Sequence, residues 1–100
     1  MRNKKEFFIE TDITQNDSVL AMVQRTTDEF GPVDVLVNNA AILPMKAFDE
    51  MSMADWDRTL TVNLYAAVWL CKLFLPTMKN QGGGSIINLS SRAAIIGFER

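Results

Sequence analysis

Apolar positions along the chain alternate between short unbroken runs and helical spacing. Phe7, Phe8 and Ile9 make a short run within Glu6 to Thr11, which predicts a strand closed by a turn at Asp12. Thr14 is placed to cap a helix, with Asp17 at its third position returning the bond. Val19, Leu20, Val23, Thr27 and Phe30 then recur at helical spacing until Gly31-Pro32. Val33 to Val37 is apolar except for Asp34, as suits a strand covered on both faces. Ser52 and Asp55 repeat the capping pattern ahead of a long helix from Met53 to Lys79, whose last turn Pro76 should bend or end. Gly82 to Gly84 reads as a flexible connection, and Ser85 to Leu89 as a third strand.

Strand, helix, strand, helix, strand is the order of an α/β chain, β-α-β-α-β, with a parallel sheet and right-handed crossovers. Ligands of such sheets sit beyond the carboxyl ends of the strands. On this chain that rule selects Asp12-Ile13, Asn38 to Ala41 and Ser90-Ser91, where short polar or small residues follow an apolar strand.

Composition narrows the chemistry. One hundred residues permit one small domain. A net charge of −2 gives no reason to expect nucleic acid or an anionic membrane as partner. Histidine is absent, which excludes a His-based triad or a His metal site within these residues, and no metal site is expected. Cys71, the single cysteine, lies in an apolar run and reads as a packing residue; a reducing, cytoplasmic setting fits it. The apolar stretch of the basic N-terminus, Phe7 to Ile9, is too short for a signal-peptide core. The apolar run from Leu64 to Leu75, broken by Lys72, falls short of the roughly 20 residues that cross a bilayer, so no membrane span is expected.

Four motifs carry a resemblance. They are Asp12-Ile13-Thr14; Asp34 to Ala41, reading D-V-L-V-N-N-A-A; Val62-Asn63-Leu64; and Gly84 to Ser91, reading G-S-I-I-N-L-S-S. Together they resemble the short-chain dehydrogenases/reductases, nicotinamide-dependent oxidoreductases built on a Rossmann-type doubly wound sheet. The resemblance places Asp12 at the adenine ring of the cofactor with Ile13 beside it. It sets Asn39, Ala40 and Ala41 along the cofactor, and has both Asn38 and Asn39 tie the sheet edge. Asn63 matches the family's helical asparagine, which holds a local distortion and a water leading to the catalytic lysine. Ser91 matches the catalytic serine that donates a hydrogen bond to the substrate oxygen. Ala41 stands where the family usually has glycine, and its methyl group narrows the backbone approach to the cofactor.

The resemblance implies hydride transfer between NAD or NADP and a small alcohol or carbonyl substrate, in a homo-oligomer formed through the helix Met53 to Lys79. That helix is apolar nearly all round between Leu64 and Leu75. The family's glycine-rich turn and its Tyr-x-x-x-Lys motif have no counterpart here. The chain therefore reads as the middle of a Rossmann domain, residues 1–100, cut at both ends and inactive by itself. A non-catalytic α/β module docking through its long apolar helix is the alternative. Within the family's strand order, 3-2-1-4-5-6, the last two strands should be adjacent and parallel. The first should either close directly beside Val33 to Val37 or stay loosely attached, and closure is the expected outcome because it restores ladder bonds.

Overall fold

A computed structural model describes residues 6–91. In chain order these form α1 (Asn16–Phe30), β1 (Val35–Asn38), a single 3-10 turn at Phe48–Glu50, the continuous helix α2 (Met53–Asn80) and β2 (Ser85–Asn88). β1 and β2 are parallel neighbours in register, Val35 opposite Ser85 and Asn38 opposite Asn88. The ladder opens with Ser85 N–H donating to Asp34 O at 2.8 Å and closes with Leu89 N–H donating to Asn38 O at 3.1 Å. An α/β chain with its last two strands adjacent and parallel, joined through α2, is the arrangement the sequence pattern predicts.

The core lies between the sheet and the two helices. Val19 from α1, Leu36 from β1, and Leu70, Phe74 and Met78 from α2 form one buried cluster, against which Met22, Val23, Trp69 and Ile86 pack. Residues two apart on a strand share a face, so Leu36 and Ile86 point to the helices. Val35, Val37, Ile87 and Leu89 point the other way and are about half exposed. β1 is thus covered on one face only among the described residues, where its sequence predicts two. The inner stripe of α1 also differs from expectation: it runs through Val19, Met22, Val23 and Thr26, while Leu20 and Phe30 lie exposed.

The predicted first strand does not join the sheet. Residues 6–12 pair with neither β1 nor β2; Phe7 instead meets Phe30 edge-on at 5.4 Å, with the Arg25 guanidinium 5.2 Å above its ring. Direct closure is therefore not realised. An edge-to-face pair and a cation over a ring keep Phe7 on the end of α1, and ladder bonds to a strand whose outer face is open do not draw it away. Nor does Thr14 cap α1. Its N–H and hydroxyl both donate to Asp12 Oδ1, at 2.9 and 2.6 Å, which makes an Asx turn, and Gln15 takes the cap position without a side-chain bond.

Other boundaries follow their residues. Gly31, at φ 79°, ends α1 with its N–H on Thr27 O. Ser52 and Asp55 form the predicted reciprocal capping box at the start of α2. α2 passes Pro76 and ends only at Asn80. There the glycines are not a flexible connection. Gly83 N–H donates to Met78 O and Gly82 N–H to Lys79 O, with Gly82 at φ 85°, which is a Schellman stop. Gly84 is needed for close approach: a Cβ there would lie 2.7 Å from Met78 Cγ and 3.1 Å from Asp34 O. Gln81 Nε2 lies within 3.1 to 3.2 Å of Val33 O, Asp34 Oδ1 and Gly83 O, tying the end of α2 to the start of both strands.

At 28 residues, α2 is long and apolar enough as a whole to cross a bilayer, although the unbroken run inside it is shorter. Its inner side, Ala66, Leu70, Phe74 and Met78, is buried inside the protein, which is how a core helix satisfies an apolar face.

Candidate functional site

The carboxyl ends of β1 and β2 open into a cleft of about 560 Å³. Its walls are Val37 to Ala41 at and after the end of β1, Asn88 to Ser91 at and after β2, Ile13 from the segment before α1, and Val62, Asn63, Ala66, Ala67 and Leu70 from α2. The strands deliver their ends to the same edge because they are parallel and in register, so a small-residue segment and a serine segment 50 residues apart in sequence face one space. Seven sequence-selected residues fall here as follows. Ile13, Asn39, Ala40, Ala41, Asn63 and Ser91 all line the cleft, and Asp12 does not.

Asp12 is engaged locally. Besides its two bonds from Thr14, its N–H donates to Ser18 Oγ at 2.8 Å. The Thr14 hydroxyl, then the Thr14 N–H, hold its carboxyl below the usual carboxylate range, with Arg58 adding a weaker pull. The carboxylate is solvent-exposed and anionic, one residue from the cleft wall at Ile13.

Asn63 sits in an unusual stretch of backbone. Thr61–Tyr65 is a π-helical turn inside α2, with Ala66 N–H reaching Thr61 O, five residues back. Such single wide turns collect at functional sites. Nearby hydroxyls bond back to carbonyls one turn earlier, Thr61 Oγ1 to Asp57 O and Thr59 Oγ1 to Asp55 O, a habit that loosens a helix at that point. The extra residue turns Val62 into the core and Asn63 toward the loop after β1. Asn63 Oδ1 accepts from Ile42 N–H and Asn63 Nδ2 donates to Ile42 O, both at 2.8 Å. That two-point clamp fixes the chain just past Ala41. The distortion expected at Asn63 is present, and its side-chain amide is committed to the main chain of Ile42.

Sequence reading passed over Asn88. Asn38 Nδ2 donates to Asn88 Oδ1 at 2.8 Å, across the last register pair of the sheet, and lies 3.7 Å from Cys71 Sγ on α2. Among the described residues, Asn38 Oδ1 is buried with no hydrogen-bond partner. The signal was an amide directly after the apolar pair Ile86-Ile87 in S-I-I-N. Among the described residues, no three His, Cys, Asp or Glu side chains gather to hold a metal ion.

The side chains Ala40, Ala41, Ala66 and Ala67 leave a wall with little relief, suited to a flat ring lying along it. Asn39, Asn63, Ser90 and Ser91 provide the polar atoms around it. The only described glycine cluster, Gly82 to Gly84, lies at the opposite, amino end of β2 and cannot cradle a phosphate in this cleft.

The chain is similar to known proteins in sequence and in backbone structure. A crystal structure from Burkholderia xenovorans, itself assigned to the short-chain dehydrogenases/reductases, superposes with a TM-score of 0.77 at 36% identity, covering 85% of this chain and 32% of that one. An uncharacterised oxidoreductase of Thermotoga maritima is 44% identical over 79 residues, which are 79% of this chain and 32% of that protein. A D-threitol dehydrogenase of Mycolicibacterium smegmatis is 35% identical over 89% of this chain and 34% of its own length. The chain thus spans about a third of the length of these relatives. The sequence model of the short chain dehydrogenase family matches residues 1–100 throughout, and with the parallel strand ends and the helical distortion at Asn63 this establishes that the chain belongs to the short-chain dehydrogenase family.

Proposed function

We propose that this chain supplies the cofactor- and substrate-facing edge of an oxidoreductase that transfers hydride between NAD or NADP and a small alcohol or carbonyl compound. The observation that carries this reading is the convergence of Ser91, Asn63 and the Asn39-Ala40-Ala41 segment on one cleft at the carboxyl edge of a parallel sheet. The family membership and the dehydrogenase names among the relatives agree with it.

A bound nicotinamide would supply the hydride donor or acceptor. Asn39, Ala40 and Ala41 would lie along the cofactor, and Ile13 with the Asp12 carboxylate would meet its adenine end. Ser91 donates a hydrogen bond to the substrate oxygen as charge develops there, the role in which a fixed donor contributes most. Its hydroxyl is unsuited to exchanging the proton itself, because an ordinary serine does not ionise near neutral pH. Asn63 acts by holding the loop at Ile42, and with it the wall at Ala41. The exposed side of α2, including Leu64, Tyr65, Val68 and Leu75, is the surface through which two copies would associate.

Steady-state assays of the complete protein to which this chain belongs, with both nicotinamides and a panel of small alcohols and ketones, test the reading. Ser91→Ala is expected to lower kcat by roughly 100-fold or more while cofactor binding holds. Turnover unchanged in Ser91→Ala would overturn it.

A further inference from the structure

We propose that Thr14 is a positioning residue for the adenine end of the cofactor, holding the Asp12 carboxylate by one oxygen and leaving the other to accept a hydrogen bond from the amino group of the base. The inference rests on the role proposed above for Asp12. Asp12 is fixed within its own turn. Its N–H donates to Ser18 Oγ at 2.8 Å, and its carbonyl accepts from Gln15 N–H at 3.0 Å. Its Oδ1 accepts from both the N–H and the hydroxyl of Thr14, at 2.9 and 2.6 Å. Among the described residues, Oδ2 is the one polar atom of Asp12 that no donor meets.

Two observations separate this arrangement from an ordinary helix start. An Asx turn needs only the N–H of the residue two ahead. The Thr14 hydroxyl bond, the shorter of the two, is additional and acts on the side chain. Nor does the Asp12 carboxylate cap α1, whose cap position Gln15 fills without a side-chain bond. Asp12 is exposed, and an exposed carboxylate is ordinarily free to turn in water, so holding it costs rotamer freedom. What the turn achieves is an acceptor set in place before a ligand arrives, one residue from Ile13 in the cleft wall. A side chain ordered in advance does not have to be ordered on binding. Adenine presents an amino donor at its edge, which a fixed carboxylate oxygen accepts. Hypoxanthine carries a carbonyl oxygen at that position, which the same carboxylate repels.

That difference between the bases gives the test. In the complete protein, Thr14→Val removes the hydroxyl but keeps the N–H and the branched shape, and Thr14→Ser keeps the hydroxyl. The probes are NAD, NADP and the analogue of each that carries hypoxanthine in place of adenine. Thr14→Val is expected to weaken binding of the adenine cofactor roughly 3- to 10-fold and that of the hypoxanthine analogue less, so the preference between them narrows. The loss falls on the cofactor KM rather than on kcat, and Thr14→Ser is expected to restore the preference. An unchanged preference in Thr14→Val would overturn the positioning role and leave the proposed function standing. Equal weakening of both cofactors would also overturn it, because damage to the turn alone would then account for the effect. A wild type that binds neither nicotinamide would overturn the proposed function and this inference with it. A readout without cofactor is the NMR titration of the Asp12 carboxyl. It is expected to titrate below the usual carboxylate range in wild type and Thr14→Ser, and closer to that range in Thr14→Val, since the Thr14 hydroxyl is the largest influence on it. The weaker pull of Arg58 from α2 is common to all three proteins. An identical titration in Thr14→Val would overturn the inference whatever the enzyme does.

Discussion

Asn63 holds the main chain of Ile42 at both its N–H and its carbonyl, at 2.8 Å each, across 21 residues of sequence. The wide turn Thr61–Tyr65 and the loop after β1 are thereby one unit. Replacing Asn63 by alanine is expected to lower stability by about 1–2 kcal/mol, two hydrogen bonds at ordinary net worth. Asn63→Asp keeps the acceptor but sets a carboxylate against Ile42 O, so it should recover none of that loss at neutral pH. Urea unfolding of the three proteins measures this, and a stable Asn63→Asp protein would contradict the clamp.

Two glycines after α2 should fail on substitution for different reasons. Gly82→Ala forces a side chain into left-handed backbone at φ 85°, expected to cost about 1–2 kcal/mol. Gly84→Ala sets a methyl group against Met78, which is 3% exposed, with expected overpacking of about 1–3 kcal/mol. Shortening Met78 should relieve the part of the second cost that falls on its side chain, leaving the closeness to Asp34 O, and should leave the first untouched, so double-mutant cycles separate them.

The start of α2 should weaken in acid. The Lys46 ammonium, 2.9 Å away, and then the Ser52 N–H hold the Asp55 carboxyl below its usual range. A folded-state pKa below the unfolded one means that the contribution is present above the unfolded value, about 4, and is lost as pH falls through the lower folded value. The urea midpoints of wild type and Asp55→Asn should therefore differ at pH 7 and converge below about pH 4. A difference that is constant with pH would rule out the ionised box.

Hydrogen exchange should distinguish the paired strands from the N-terminal segment. Amides of Phe8 and Ile9 lie outside the ladder and are expected to exchange rapidly, whereas Ser85 and Leu89, which donate to Asp34 O and Asn38 O, should be protected. Equal protection of Phe8 and Leu89 would show that residues 6–12 pair with the sheet in solution.

Much of the architecture was legible in the residues because it depends on near neighbours. Gly31-Pro32 stops a helix, Ser52 and Asp55 three apart cap one, and apolar Val35–Val37 and Ile86–Ile87 suit parallel strands. The order of elements then placed Asn39 to Ala41 and Ser91 at one edge. The sequence by itself could not rank interactions that compete for the same atom. Thr14 was free to cap α1 or to bond Asp12, and the Asx turn won because the Thr14 N–H and hydroxyl both reach one carboxylate oxygen. Phe7 to Ile9 has strand character, but whether it pairs depends on what lies beside β1, and that is a tertiary matter. Asn88 looked like any polar residue closing a strand. Only the register, which sets Asn38 opposite it on the face toward α2, made it a bridge. Local sequence decides where elements begin and end; which amides meet across 50 residues is decided by register and packing, since neither leaves a mark on the residues in between.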